Sequence, residues 1–186
     1  VLTITKIPVA NSGSDAEVCA SAASYTLLAA NGVAASNYST VQWSSSGTGT
    51  FTNPNILLAT YNPTPADKSA GSVTLTLRAN GNGSCAFVTD PMTLTITPVP
   101  TVNAGSNAEV CASAASYTML AANGVAASNY SSLLWTTSGT GTFADATILL
   151  PTYTPSATDK TAGSVTLTLR ANGNGSCAFV TDPMTL

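Results

Sequence analysis

The sequence has no histidine and few charged residues, which make up 7% of its 186 positions. Histidine is the commonest general base and the commonest metal ligand, so its absence removes the most frequent route to both chemistries. Lysine and arginine number only five, too few for the basic patch that binding to a nucleic-acid backbone requires. No apolar run approaches the roughly 18 residues needed to span a bilayer, and no signal peptide is visible.

Cysteine is also scarce, and its spacing does not favour a metal site. The four cysteines are Cys19, Cys85, Cys111 and Cys177, and none lies in a C-x-x-C pair of the kind that binds zinc. We therefore predict two disulfides, Cys19–Cys85 and Cys111–Cys177, and an oxidising, extracytoplasmic location. Each disulfide would close a loop of 66 residues, which adds roughly 4 kcal/mol to the free energy of unfolding on the chain-entropy model.

The chain contains one sequence twice, with a period of 92 residues. Cys111 follows Cys19 by 92 positions, and Cys177 follows Cys85 by the same interval. An ungapped alignment of residues 11–94 with 103–186 leaves 66 of 84 positions identical. Since the differences cluster at 40–45, 52–55 and 59–69, the middle of the repeat varies most, while the cysteines and the last hairpin do not vary.

The phase of the repeat predicts the domain organisation. Residues 1–5 match residues 93–97, and the chain stops at Leu186 inside the equivalent strand. We therefore expect a window from a longer tandem array. The predicted divisions are a trailing strand of a preceding repeat, repeat 1, a proline-rich linker and a truncated repeat 2, at 1–9, 10–97, 98–102 and 103–186.

Each repeat shows short alternating strands and no helical period. Residues 72–78 alternate hydrophobic and hydroxyl side chains, and Gly, Asn and Pro turns recur about every ten residues. This pattern predicts an all-β chain of two tandem immunoglobulin-like antiparallel β-sandwiches. Trp43 and Trp135 are the predicted core anchors, and Pro91 predicts an edge or a bulge in the last strand.

The carboxylates give little support to catalysis or metal binding. Those that recur in both copies are Glu17, Asp67 and Asp90, of which we expect Asp67 to cap a helical turn. With no nucleophile–base pair, the sequence predicts no enzyme, no catalytic residue and no cofactor. The only metal candidate is a weak calcium site at Asp15, Glu17 and Glu109, where oxygen ligands near the joint between repeats can hold the ion.

Several stretches carry a likeness to a known family. WSSSGTGTF, TYNPTPADKSAGSVTLTLRANGNGSC and DPMTLTI closely resemble the Ig-like (PKD-like) tandem repeats of very large cell-surface adhesins and filaments of Bacteroidota. These repeats look like those of gliding-motility adhesins exported by the type IX secretion system. One departure is Gly83, which stands where the tyrosine corner of immunoglobulin domains places a tyrosine. We therefore expect the disulfide to pin the turn of the last hairpin to the first strand at one end of the sandwich.

The resemblance implies an extracellular structural or adhesive role without catalytic residues. The expected function is a repeat segment of a long filament or adhesin stalk, whose partners are further repeats of the same chain. The alternative is an adhesive binding module that recognises glycans or cell surfaces through the variable middle of each repeat. A third expectation is lateral self-association into a fibre of several chains, with Leu57, Leu134 and Leu149 as contact candidates.

Overall fold

The computed structural model describes residues 4–186 and forms two units, Val1–Pro98 and Val99–Leu186. Both units are β-sandwiches with one short helix each. In repeat 1 the elements are β1 Val9–Asn11, β2 Ala16–Cys19, β3 Tyr25–Thr26, β4 Ala34–Ser36, β5 Tyr38–Ser45, β6 Thr50–Phe51, β7 Thr60–Asn62, α1 Pro65–Ala70, β8 Ser72–Gly81 and β9 Val88–Thr97. In repeat 2 they are β10 Thr101–Asn103, β11 Tyr117–Thr118, β12 Ala126–Ser128, β13 Tyr130–Thr137, β14 Thr142–Phe143, β15 Thr152–Thr154, α2 Ala157–Ala162, β16 Thr166–Gly173 and β17 Val180–Thr185. Short 3₁₀ turns span Ala29–Asn31 and Ala121–Asn123.

The larger sheet of repeat 1 has the strand order β2-β9-β8-β5. The smaller sheet has the order β3-β7-β6, and β1 pairs separately with β4. All these pairs are antiparallel except β2 with β9, which is parallel. The parallel pair departs from the purely antiparallel expectation, and it decides where the first cysteine lies.

The core of repeat 1 forms on the inner face of the β8–β9 hairpin. Every second residue of β8 from Val73 to Ala79 is buried, as the alternation in the sequence predicts. Trp43 lies in this core, 2% exposed, and its Nε1–H donates to the carbonyl oxygen of Leu57 at 3.0 Å. In repeat 2, Trp135 has the same burial and donates to Leu149 at 3.2 Å.

Pro91 lies in register opposite Thr76 without a bulge. Strand β2 pairs only with Leu94–Thr97, so β9 has a free edge at Pro91 and its missing N–H costs no ladder bond. The irregularity in this sheet lies elsewhere, between Tyr38 and Thr40 in the pairing of β5 with β8.

The boundaries between the repeats differ in detail from the predicted ones. Within the predicted trailing strand 1–9, residues 1–3 lie outside the described part, residues 4–8 have no regular secondary structure, and Val9 begins β1. In the predicted linker 98–102, the last two residues belong to β10. The cause is the same in both repeats, because this extended segment pairs with the strand that follows the 3₁₀ turn.

The two copies of AEVC adopt different structures. Residues 16–19 form β2, whereas residues 108–111 form no strand. Strand β2 bonds to residues 94–97, of which only Leu94 has an equivalent within residues 1–186, namely Leu186. An open cavity of about 350 Å³, lined in part by Val110, Val165 and Leu186, occupies this part of repeat 2.

Candidate functional site

Cys85 lies in the turn between β8 and β9. Its N–H donates to the carbonyl oxygen of Asn82 at 3.1 Å. Its sulfur lies 3.6 Å from the carbonyl oxygens of both Thr5 and Lys6, in the segment that leads into β1. Gly81 permits this tight turn, because a Cβ there would collide with the backbone of Cys85.

Cys19 lies at the opposite end of the same sheet. It ends β2, in register with Thr97, the last residue of β9. The hairpin turn that holds Cys85 lies beyond Val88, the first residue of β9. A strand rises about 3.3 Å per residue, so nearly 30 Å separates the two ends of β9.

The predicted disulfides are therefore wrong in their pairing. Cys19 and Cys177 are disulfide-bonded, whereas Cys85 and Cys111 are free thiols, so neither Cys19–Cys85 nor Cys111–Cys177 forms. A disulfide needs Cα atoms within about 7 Å. Because β2 runs parallel to β9, its cysteine ends at the far side of the sandwich from the hairpin turn.

Cys111 lies beside Ser113, and its thiol is open to solvent. It is exposed, and its sulfur lies 3.1 Å from the hydroxyl oxygen of Ser113. Hydrogen bonds from the Ser113 side chain and backbone lower the pKa of the Cys111 thiol, and the positive charge of Lys160 acts in the same direction. Cys111 and Lys160 both line the cavity beside Leu186.

A buried carboxylate holds the loops at one end of repeat 1. Asp67 is 3% exposed. Its Oδ1 accepts the N–H of Thr48 at 2.8 Å, and its Oδ2 accepts the Tyr61 hydroxyl and the N–H of Thr64, both at 2.9 Å. Gly47 is required beside it, because a Cβ there would collide with Oδ1. Asp67 thus ties three segments to one side chain.

The predicted role of Asp67 as the helix cap is wrong by three positions. The cap of α1 is Thr64, which forms a reciprocal capping box with Asp67 at the third helical position. The Thr-x-x-Asp spacing was the signal in the sequence that identifies this arrangement. It recurs as Ser156 and Asp159 before α2, where Asp159 is 5% exposed.

Burial alone would raise the pKa of the Asp67 carboxyl, because it disfavours the charged form. The hydrogen bonds from Thr64, Thr48 and Tyr61 outweigh burial and lower the pKa from 3.8 to about 2. Asp159 is shifted in the same direction by the equivalent bonds. Both carboxylates are therefore ionised and fully hydrogen-bonded, which is typical of a structural group.

Two of the calcium candidates, Asp15 and Glu17, accept hydrogen bonds from β9. Asp15 Oδ1 accepts the N–H of Thr93 at 2.7 Å, and Glu17 Oε1 accepts the Thr97 hydroxyl at 2.6 Å. Asn107 forms the same bond as Asp15, to Thr185 at 2.7 Å, so this position needs an acceptor rather than a charge. Glu109 is exposed, and within residues 4–186 no three acidic, cysteine or histidine side chains cluster as metal ligands.

The lateral-contact candidates divide into two kinds. Leu57 and Leu149 pack against the cores of their repeats and are only partly exposed. Leu134 is 39% exposed on β13, and Ile148 and Leu150 beside Leu149 are 48% and 38% exposed. In repeat 2 the apolar side chains most available for contact are therefore Leu134, Ile148 and Leu150.

No protein-family model matches the sequence, and no curated protein matches it. Among solved structures, the crystal structure of human CDH23 EC21-23 is similar over 100% of this chain, with 15% identity and a TM-score of 0.51. The chain consists of two tandem immunoglobulin-like β-sandwich repeats. Mouse Cadherin-23 EC22-24 and Sidekick-1 immunoglobulin domains 1-4 are also similar over 96% of it, at 17% and 12% identity and TM-scores of 0.49 and 0.48.

The chain spans 65% of each cadherin structure and 48% of the Sidekick-1 structure. At these identities the similarity concerns the fold alone. Within the described residues, neither short helix has the length or apolarity needed to cross a membrane.

Proposed function

We propose that this chain is a structural segment of a long extracellular filament or adhesin stalk at a bacterial surface. The observation that carries the proposal is the repetition itself, because 66 of 84 aligned positions are identical and both copies fold into the same kind of sandwich. Stacked repeats of one fold produce an extended object whose length grows with copy number. The partners on this proposal are further repeats of the same chain.

The interior of each repeat supports a mechanical role. The conserved features of both copies are the core, the buried aspartate and the β-hairpin, all of which stabilise the sandwich. The resemblance of WSSSGTGTF and the long hairpin segment to Bacteroidota surface repeats supports export through the type IX system and a gliding-motility adhesin as the parent protein.

Electron microscopy of the native protein tests this function. We expect a thin fibre whose length increases by roughly 35–45 Å per repeat, from about ten residues per strand plus end loops. Antibodies against the repeat should label the outside of intact cells. Compact particles, or labelling only after lysis, would contradict the proposal.

A groove on repeat 1 favours the second candidate function, recognition of glycans or cell surfaces. Tyr38, Thr40, Gln42, Asn55 and Ile56 are among its lining residues. Three of these positions differ between the copies. Repeat 2 has Ser132, Leu134 and Thr147 where repeat 1 has Thr40, Gln42 and Asn55. On this proposal, Tyr38→Ala should abolish binding to a glycan array while Tyr25→Ala preserves it, and absence of binding by the wild type excludes the candidate.

Lateral assembly into a fibre of several chains rests on Leu134 and its exposed neighbours. The equivalent residue in repeat 1 is Gln42, so Leu134→Gln is a substitution that the same fold already accepts. We expect this variant to lower the sedimentation coefficient of an associated chain. Gln42→Leu is the matched variant and should strengthen association. If neither substitution changes the sedimentation coefficient, this surface is excluded as the contact.

A further inference from the structure

Each cysteine position is bonded in one repeat and free in the other. The strand cysteines are Cys19 and Cys111, and the turn cysteines are Cys85 and Cys177. Cys19 is disulfide-bonded and Cys111 is free, whereas Cys177 is bonded and Cys85 is free. The surrounding sequences AEVCASAAS and NGNGSCAFV are identical in the two copies. Both positions can therefore form a disulfide, and whether they do depends on the presence of an adjacent repeat.

The contacts of the Cys85 sulfur indicate its disulfide partner. Its sulfur contacts the carbonyl oxygen of Thr5, and Thr5 corresponds to Thr97 after one period of 92 residues. Thr97 is the register partner of Cys19. In a preceding repeat, the strand cysteine would accordingly lie beside Thr5, where the Cys85 thiol already lies.

Cys111 is the free strand cysteine of repeat 2. It is exposed beside a cavity lined in part by Leu186, the equivalent of Leu94, which pairs with β2 in repeat 1. Asp159 and Lys160 are the charged side chains that line the cavity together with Glu109. The hydrogen bond from Ser113 and the charge of Lys160 favour the thiolate, the form that attacks a disulfide.

We propose that Cys85 forms a disulfide with the strand cysteine of the repeat before it, and Cys111 with the turn cysteine of the repeat after it. The inference rests on the proposed function, because it requires repeats outside residues 1–186. Each bond forms when two thiols lose two electrons and two protons to the disulfide of a thiol oxidoreductase, which becomes a dithiol. Disulfides then link successive repeats, whereas the distance across one sandwich prevents them from closing within it.

This arrangement creates a short covalent path through the array. Cys85 and Cys111 lie 26 residues apart, and on the proposal both are bonded to repeats outside this pair. Tension enters at Cys85, follows β9 and leaves at Cys111. Because both ends of this segment are bonded to adjacent repeats, one 26-residue segment spans two repeats of the array. Twenty-six extended residues reach at most about 90 Å, which is close to the length of two folded repeats. Unfolding therefore adds almost no length to an oxidised array.

Thiol counting on this chain tests the pairing. Under denaturing, non-reducing conditions, a maleimide should label two cysteines, Cys85 and Cys111. The double variant Cys85→Ser, Cys111→Ser should have no free thiol and should unfold at the same urea concentration as the wild type. Pairing within each repeat predicts the reverse, no free thiol in the wild type and two in the double variant, and that result would overturn the inference.

A longer chain tests the partner. When a second copy of residues 95–186 is added after Leu186 and the chain is refolded with oxidised glutathione, the monomer should again have two free thiols. They should be Cys85 and the strand cysteine of the added repeat. Four free thiols, none, or disulfide-linked multimers would contradict the proposal. These thiol counts do not depend on fibre formation. A filament whose disulfides lie within single repeats would therefore contradict this inference without contradicting the proposed function.

Discussion

Two carboxylates of repeat 1 show how differently one residue type is used. Asp67 is buried and accepts bonds from three segments, whereas Asp15 is exposed and accepts a single N–H. The second copy keeps the buried carboxylate as Asp159 but replaces the exposed one with Asn107. The requirement for charge therefore follows burial and the number of donors, not the presence of an acidic residue as such.

We expect Asp67→Asn to destabilise repeat 1 by roughly 1–3 kcal/mol, because the amide group would face the Tyr61 hydroxyl and the N–H of Thr64 without accepting from both. Urea unfolding followed by circular dichroism measures the change. Asp15→Asn is the matched control, and it should cost less than about 0.5 kcal/mol, since Asn107 already forms that bond. Equal effects of the two substitutions would contradict this role for Asp67.

The same carboxylates predict the acid sensitivity of the fold. The pKa of Asp67 is lowered from 3.8 to about 2 in the folded state, so its stabilising contribution is present above pH 4. That contribution is lost as the pH falls from about 4 to 2, and Asp159 follows the same direction. We expect the urea midpoint of the wild type to fall steeply in this interval. In the double variant Asp67→Asn, Asp159→Asn the fall should be much shallower, and parallel curves would refute the assignment.

At the scale of elements, identical sequences acquire structure from their partner strands. Residues 16–20 and 108–112 are both AEVCA, yet only the first contains a strand. Ala20 N–H donates to the carbonyl oxygen of Thr97 at 2.8 Å. Ile96, 1% exposed, packs in the core of repeat 1. Strand β2 is thus a product of the end of β9 rather than of its own propensity.

Adding Thr-Ile-Thr after Leu186 should create the missing strand in repeat 2. The added isoleucine would fill the cavity beside Val110 and Val165, and burial of one such side chain stabilises by roughly 1.5–3 kcal/mol. Amide hydrogen exchange followed by NMR should then show greater protection at residues 109–112 than in the chain without the addition. Thr-Ser-Thr is the matched control and should stabilise less, and equal gains would exclude the cavity as the cause.

For the whole molecule, the arrangement of disulfides decides how far an array extends under load. Single-molecule stretching of an oxidised array should add less than about 20 Å of contour length per repeat. After reduction with a phosphine, each unfolding repeat should release its 92 residues, a gain of roughly 250–300 Å. Disulfides within each repeat would instead give about 50 Å per repeat in the oxidised array, and that value would contradict links between repeats.

The sequence by itself determined the class of fold and the repeat. Hydrophobic alternation along 72–78 identified the buried face of β8, and the alternation of Val41 and Trp43 identified the core face of β5. These are local signals, and a period of two residues is enough to assign the faces of a strand. The duplication at 92 residues needed only comparison of the chain with itself.

Only the tertiary structure decided the cysteine chemistry and the role of Asp67. Sequence spacing places Cys19 and Cys85 in one repeat but contains no information on whether β2 runs parallel or antiparallel to β9, and that direction separates them by nearly 30 Å. Likewise, a Thr-x-x-Asp motif marks a helix start, but burial of its carboxylate depends on the loop at Gly47 closing over it. Contacts between segments distant in sequence decide both, because they depend on how the strands are arranged in space.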